Sequence, residues 1–335
     1  MKISSQNTLY LATLSFSIAT PATATLLFYE PFDYAAGTEI EGSTPALGAE
    51  SGWVDTSSGN GTPGGSPTDR SLTVRDVGTN GGDESGQTWT GIPSASAFPN
   101  TGGYLEGLRR DNNEGHITLG ASVTSQFTDG STIWVSYVSA PTTNSGNNNN
   151  HEPTLALGAG AFGGNEAGGN TGDDRGRILT DGGIGVYAPF NLSNSSLTAA
   201  YWDGATAGVN VNSSASTVTP PFTGTNTADF EQQLIIARID FGATSDTITV
   251  NRFDLDASYV DLTAAEFDSG AVSITSAVNL DQSTFDTLAF DGVRTNLDEI
   301  RIATTFEESI GLTIPEPSSA LLSLFGVGLV FIRRR

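Results

Sequence analysis

Leu234-Ile235-Ile236-Ala237-Arg238-Ile239-Asp240-Phe241 and Asp246-Thr247-Ile248-Thr249-Val250-Asn251-Arg252-Phe253 decide the fold. Both runs are rich in β-branched and aromatic residues and contain no Gly or Pro. Gly242-Ala243-Thr244-Ser245 lies between them. Two such runs joined by a short Gly-containing loop read as a β-hairpin. A third run, after Gly130, is just as clear. Ile133, Val135 and Tyr137 share one face of it, and Trp134, Ser136 and Val138 share the other. Large apolar groups on both faces predict a central strand in a two-layer fold.

The same reading extends outward in both directions. Leu26 to Asp33 reads as a first strand that ends near Pro31, with Trp53-Val54 a buried point in a turn-rich stretch and Ser71 to Val74 another strand. Tyr104 to Leu108 and His116 to Leu119 read as a strand pair around the polar turn Asp111-Asn112-Asn113. Further strands are expected around Leu155 and Leu157, at Ile184 to Tyr187, at Leu197 to Trp202, at Thr287 to Phe290 and at Leu297 to Ala303. Residues 259–268 can form one helical turn, capped by Asp261 or Thr263 ahead of Phe267. Two polar stretches, about 141–183 and 203–228, are Gly- and Asn-rich or Pro-broken loops. No repeat period stands out, which argues against a solenoid or propeller. The fold class expected is all-β, a sandwich of eleven to fourteen short strands.

Composition narrows the function. Residues 25–313 hold ten arginines, no lysine and 36 acidic residues, a formal balance of about −26. Such a chain repels phosphate backbones and anionic membranes, so nucleic acid is excluded as a natural partner. Polysaccharide, divalent cations and cationic surfaces remain. The chain has no cysteine, so no disulfide staples it, thiol chemistry is absent, and folding must rest on a sizeable core.

Both ends read as targeting segments. Lys2, the apolar Leu9 to Ala19 and the small-x-small Ala22-Thr23-Ala24 have the form of a secretory signal peptide over residues 1–24, leaving Thr25 first in the mature chain. At the other end, a linker at 308–313 precedes Pro315-Glu316-Pro317, an apolar run from Leu321 to Ile332, and Arg333-Arg334-Arg335. Counted from Ser318, the run reaches roughly the lower limit for a membrane-crossing helix. Short signal helices are thus expected at both ends, outside the sandwich. The order of Pro-Glu-Pro, apolar helix and terminal arginines over 314–335 resembles the PEP-CTERM sorting signal of Gram-negative bacteria. That resemblance implies recognition by an exosortase-like membrane protease and export across the inner membrane. It also implies transient anchoring by the C-terminal helix, and then a place at the cell surface or in extracellular matrix, among exopolysaccharide.

A second resemblance concerns the body. Tyr29-Glu30-Pro31-Phe32-Asp33-Tyr34, the 234–253 hairpin and Asp298-Glu299-Ile300-Arg301-Ile302-Ala303 look like the laminin-G or concanavalin-like jelly roll. The likeness covers about residues 25–307 and implies first and last strands lying side by side.

Chemistry is harder to find. A glycosidase needs two carboxyl groups flanking the scissile bond. Asp254 and Asp256 are the best local pair, on one side if the strand continues past Phe253, though carboxylates at a strand end are the simpler reading. Asp298 and Glu299 are adjacent, so in a regular strand they point to opposite faces. His116 and His151 are the only histidines, too few for a convincing zinc site. Calcium, which takes hard oxygen ligands, fits better. Its candidates are Asp111, Asn113 and Glu114 in one turn and Asp173, Asp174 and Asp181 in another, without the EF-hand spacing. Trp134 and Trp202 could stack on sugar rings if exposed, but read more simply as core. The expected protein is therefore an exported surface or extracellular-matrix protein, a non-catalytic binding or structural module with glycans as its candidate ligands. A secreted glycan hydrolase or lyase working near Asp254 and a passive coat protein are the alternatives.

Overall fold

The computed structural model describes residues 25–55, 72–76, 103–106, 113–141, 154–160, 179, 181–187, 198–202, 233–254, 262–292 and 295–311. The two targeting segments and the sorting motif lie outside them. In chain order the strands are β1 (Leu26–Glu30), β2 (Val54–Asp55), β3 (Thr73–Asp76), β4 (Gly103–Glu106) and β5 (Asn113–Thr118). Then come helix α1 (Ala121–Thr124), β6 (Thr132–Pro141), β7 (Thr154–Ala159), β8 (Gly182–Tyr187), β9 (Thr198–Trp202), β10 (Gln233–Asp240) and β11 (Thr247–Asp254). Helix α2 (Ala264–Asp268), β12 (Val272–Thr275), a 3-10 turn (Gln282–Thr284), β13 (Thr287–Gly292), β14 (Thr295–Ala303) and helix α3 (Phe306–Ser309) follow.

These strands form two antiparallel sheets, an all-β sandwich. The eight-stranded sheet runs β12-β11-β10-β6-β14-β4-β3, with β1 also paired to β14. The six-stranded sheet runs β2-β5-β13-β7-β8-β9. The hairpin of β10 and β11 forms in full register, from Gln233 opposite Asp254 to Asp240 opposite Thr247. Buried Asp246 fixes its turn. Its carboxylate accepts from Gly242 N–H (3.1 Å) and Leu280 N–H (2.9 Å), and its own N–H donates to Ser276 Oγ (2.8 Å). β6 is central as expected, flanked by β10 and β14. The first and last strands do lie side by side. β1 pairs with the Ile300–Ala303 half of β14, while β4 pairs with Asn296 and Leu297.

Alternation along β6 explains why the large sheet is buried on both sides. Ile133, Val135 and Tyr137 face the core between the sheets, with Leu155, Leu157, Ile184, Val186, Ile235, Ile239 and Leu288. Trp134 and Val138 face outward with Leu234 and Ile236, and there Phe267 of α2 and Phe306 of α3 cover them. Helix α2 starts where the sequence expected. Thr263 Oγ1 accepts from Glu266 N–H (3.3 Å), and the Glu266 carboxylate accepts from Thr263 N–H (2.8 Å), a capping box.

Three sequence expectations are corrected. The strands near Tyr104 and His116 do not pair with each other. β4 belongs to the eight-stranded sheet and β5 to the six-stranded one, where it pairs with β13. Remote partners that bury both segments prevail over local closure. Trp53 is buried as expected, but Val54 is exposed, because successive strand residues face opposite ways. Finally, a bulge interrupts β14 between Asp298 and Arg301, and Glu299 adopts a positive φ of 53°. Asp298 and Glu299 therefore do not follow simple alternation, and both are buried.

Candidate functional site

Two polar networks on the eight-stranded sheet carry the chemistry within the described residues. The first lies on the outer face at the β12 end. Thr247 pairs with Thr275 and with Asp240, which in turn pairs with Thr132, so these four residues form one row across four strands. Thr247 Oγ1 and Thr275 Oγ1 share a hydrogen bond of 2.9 Å, and Thr132 Oγ1 donates to Asp240 Oδ1 at 2.7 Å. The next row on that face is Ser273, Thr249, Arg238 and Trp134. Thr249 and Ser273 share a hydrogen bond of 2.8 Å. Arg238 donates to Asp240 Oδ2 (3.1 Å) and Asp268 Oδ1 (2.8 Å). Its guanidinium carbon stands 5.6 Å from the Trp134 ring centre and 5.8 Å from that of Phe267. Aromatic faces attract the cation and hold its plane in place. Ser273 and Thr275 are exposed, while Arg238, Asp240 and Thr247 are half-buried. The result is an open array of hydroxyls ending in a fixed arginine and two carboxylates. It can exchange hydrogen bonds with a hydroxyl-rich ligand.

The second network sits at the seam of β1 and β14, and it is closed. Glu30 is fully buried. Its carboxylate accepts from Phe32 N–H (2.7 Å), Trp53 Nε1–H (2.7 Å) and Tyr34 O–H (2.9 Å). These donors hold the chain through Phe32, whose φ is +48°. Glu299 accepts from Tyr29 O–H (3.2 Å) and Arg301 Nη2–H (3.0 Å). The Arg301 guanidinium also stacks on the Tyr29 ring, 4.4 Å from its centre. Asp298 Oδ1 accepts from Glu299 N–H at 2.8 Å.

Burial dominates the electrostatics of this seam. It pushes the Asp298 carboxyl well above the usual carboxylate range, and the neighbouring Glu299 and Glu30 push the same way. Glu299 is raised by burial against the pull of Arg301. Glu30 is raised by burial, while its three donors pull it down. Tyr29 and Tyr34 hydroxyls are raised too, by burial first and then by Glu299 and Glu30 respectively. Perturbed carboxyl groups often mark active sites. Here Glu30, Asp298 and Glu299 are 0%, 6% and 2% exposed, so no substrate reaches them. The seam is structural chemistry.

The sequence-derived candidates scatter. Asp254 ends β11 opposite Gln233. Asn113 and Glu114 begin β5, opposite Gly292 and Asp291. Asp181 is exposed just before β8. Asp111, Asp173, Asp174, Asp256 and His151 lie outside the described residues, as do Pro315, Glu316, Pro317, Arg333, Arg334 and Arg335. Among the described residues, no group of three or more His, Asp or Glu side chains could hold a metal ion. His116 is half-buried on β5, and burial lowers its proton affinity against the opposing pull of Glu41. Trp134 is core, under Phe267 and Phe306. Sequence reading missed Glu30 as a site, although Glu-Pro-Phe after an apolar run was a visible signal for a buried acid at a chain reversal.

No protein-family model matches the chain, and no curated protein matches it. Solved structures do show likenesses. Lectin II from Ulex europaeus aligns with a TM-score of 0.35 and 11% identity, covering 61% of this chain and 88% of that one. Peanut lectin with a 9mer peptide aligns at 0.35 and 12%, over 75% and 97% of the two chains. The exoplasmic/lumenal domain of VIP36 in its Ca2+/Man2-bound form aligns at 0.31 and 10%, over 66% and 82%. At these scores the likenesses carry no argument about ligands. The sandwich assignment stands on the strand pairing itself.

Proposed function

We propose that the protein is an exported, non-catalytic binding or structural module whose partner class is polysaccharide. The observation that supports it is the open array of Thr132, Asp240, Thr247, Ser273 and Thr275 beside Arg238. Hydroxyls and a guanidinium held in rows match the spaced hydroxyl groups of a glycan chain. The acidic surface charge disfavours polyanions, so neutral glycans fit best. Export and surface display rest on the signal-like residues 1–24 and the sorting-like residues 314–335. Calcium enters the proposal as a hard cation suited to the carboxylate oxygens of Asp173, Asp174 and Asp181.

A glycan array run beside a polysaccharide-degradation screen, with and without calcium, tests this reading. Binding without turnover, lost in Arg238→Gln, is the expected result. Reducing-end release that disappears in Asp254→Asn would replace it with the hydrolase reading. Silence in both assays would leave a coat protein. Intact-mass measurement of the cell-associated product tests the route. A chain that retains Met1 and Arg335 would end the export proposal.

A further inference from the structure

Among the described residues, the seam joining the first and last strands holds three buried carboxyl groups and one cation, Arg301. Three buried anions beside one guanidinium leave an excess of negative charge, and an uncompensated charge in a low-dielectric interior is strongly unfavourable. The hydrogen bonds show where the excess is removed. Glu30 accepts from three donors, and both Glu299 oxygens accept, one from Tyr29 and one from Arg301. Such patterns suit ionised groups. Among the described residues, the Asp298 carboxyl accepts through Oδ1 alone, from Glu299 N–H, and the negative charges of Glu299 and Glu30 act on it. It is the group that can carry a proton without losing a hydrogen bond.

We propose that this seam is an acid-tightened latch between the first and last strands, in which Asp298 stays protonated in the folded protein while Glu30 and Glu299 carry charge. Among the described residues, the charged and titratable groups that act on one another here are Tyr29, Glu30, Asp33 and Tyr34 from β1 and the reversal after it, and Asp298, Glu299 and Arg301 from β14. The sign follows from linkage. Asp298 binds its proton more tightly in the closed latch than in the open chain, because burial raises its proton affinity. The latch is therefore fully tight below the open-chain carboxyl range. It loosens as pH rises from there through the closed-state value, by up to about tenfold in opening constant per pH unit. Above the closed-state value the loss is complete and the opening constant levels off.

Hydrogen exchange read by mass spectrometry between pH 4 and 8, corrected for intrinsic exchange rates, tests this. Amides of residues 26–30 and 300–304 should open more as pH rises, while the β10–β11 hairpin should not. Asp298→Asn, which keeps the shape and removes this titration, should make the rise shallower, leaving the part that Glu30 and Glu299 contribute. An equal rise in the variant would overturn the proposal. Infrared spectroscopy of the unmodified protein at pH 7 gives a check that needs no variant. A protonated-carboxyl band supports the latch, and its absence overturns it. Calcium alone, added at pH 7, is the last arm. Tightening of the same amides that Asp298→Asn abolishes would assign the charge balance to a metal and overturn the proton.

Discussion

Arg301 and Arg238 are both on the eight-stranded sheet, and both grip carboxylates at about the same distance, 3.0 Å for Glu299 and 2.8–3.1 Å for Asp268 and Asp240. Both also stack on aromatic rings. They differ in water. The Arg301 and Glu299 side chains are 7% and 2% exposed, whereas Arg238, Asp240 and Asp268 are 27%, 40% and 55% exposed. The same geometry therefore has two consequences. In the sealed pair Glu299 depends on Arg301 for charge compensation. In the open pair water can replace either partner, so the arginine is available to a ligand at small cost to the fold.

Removing Arg301 should be the harshest test of this contrast. Arg301→Met leaves Glu299 buried without its cation, and a loss of about 3–5 kcal/mol in chemical denaturation is expected. A loss below 1 kcal/mol would mean that Glu299 readily takes up a proton. Glu30→Gln comes next. The amide offers one acceptor oxygen where the carboxylate offers two, so Phe32, Trp53 and Tyr34 cannot all be satisfied, and about 1–3 kcal/mol should be lost. Thr263→Ala removes the cap of the helix that covers Trp134 and should cost about 1 kcal/mol, read as a shift in denaturation midpoint. Arg238→Gln should change stability least, by no more than about 1 kcal/mol and less at high salt. It should nonetheless abolish glycan binding, and a large stability loss there would erase the distinction between the two arginines.

pH sharpens the same comparison. Burial raises Asp298, Glu299 and Glu30 in the folded state, so their contribution is full below the open-chain carboxyl range and is lost as pH rises through the folded values. Denaturation midpoints should therefore fall as pH rises from about 4. Arg301→Met should make the fall steeper, because it removes the group that favours ionised Glu299.

The sandwich was legible because its central strands are long and alternate cleanly. Residues 133–138 and 234–253 show which faces are apolar, and Thr263-x-x-Glu266 marks a helix start on its own. Pairing between remote strands was not legible. Nothing local in Tyr104 to Leu119 says that β4 and β5 belong to different sheets. The seam was hidden for a related reason. Asp298 and Glu299 read as an alternating pair until a bulge, visible only with β1 and β6 in place, leaves both of them buried. The outer array was also out of reach, since Thr132, Asp240, Thr247 and Thr275 meet only through register across four strands.

The pairing of the first strand with the last also fixes how the domain answers a pull. Thr25 N–H donates to Thr304 Oγ1, and Thr304 N–H donates to the Thr25 carbonyl, both at 3.1 Å, where the two antiparallel strands begin and end together. A force drawing Thr25 away from Thr304 loads that first pair alone, then the next, in the manner of a zipper. Such a geometry yields one rung at a time, unlike strands sheared lengthwise, where all rungs resist at once. A load carried through only one of these two strand ends does not draw the pair apart.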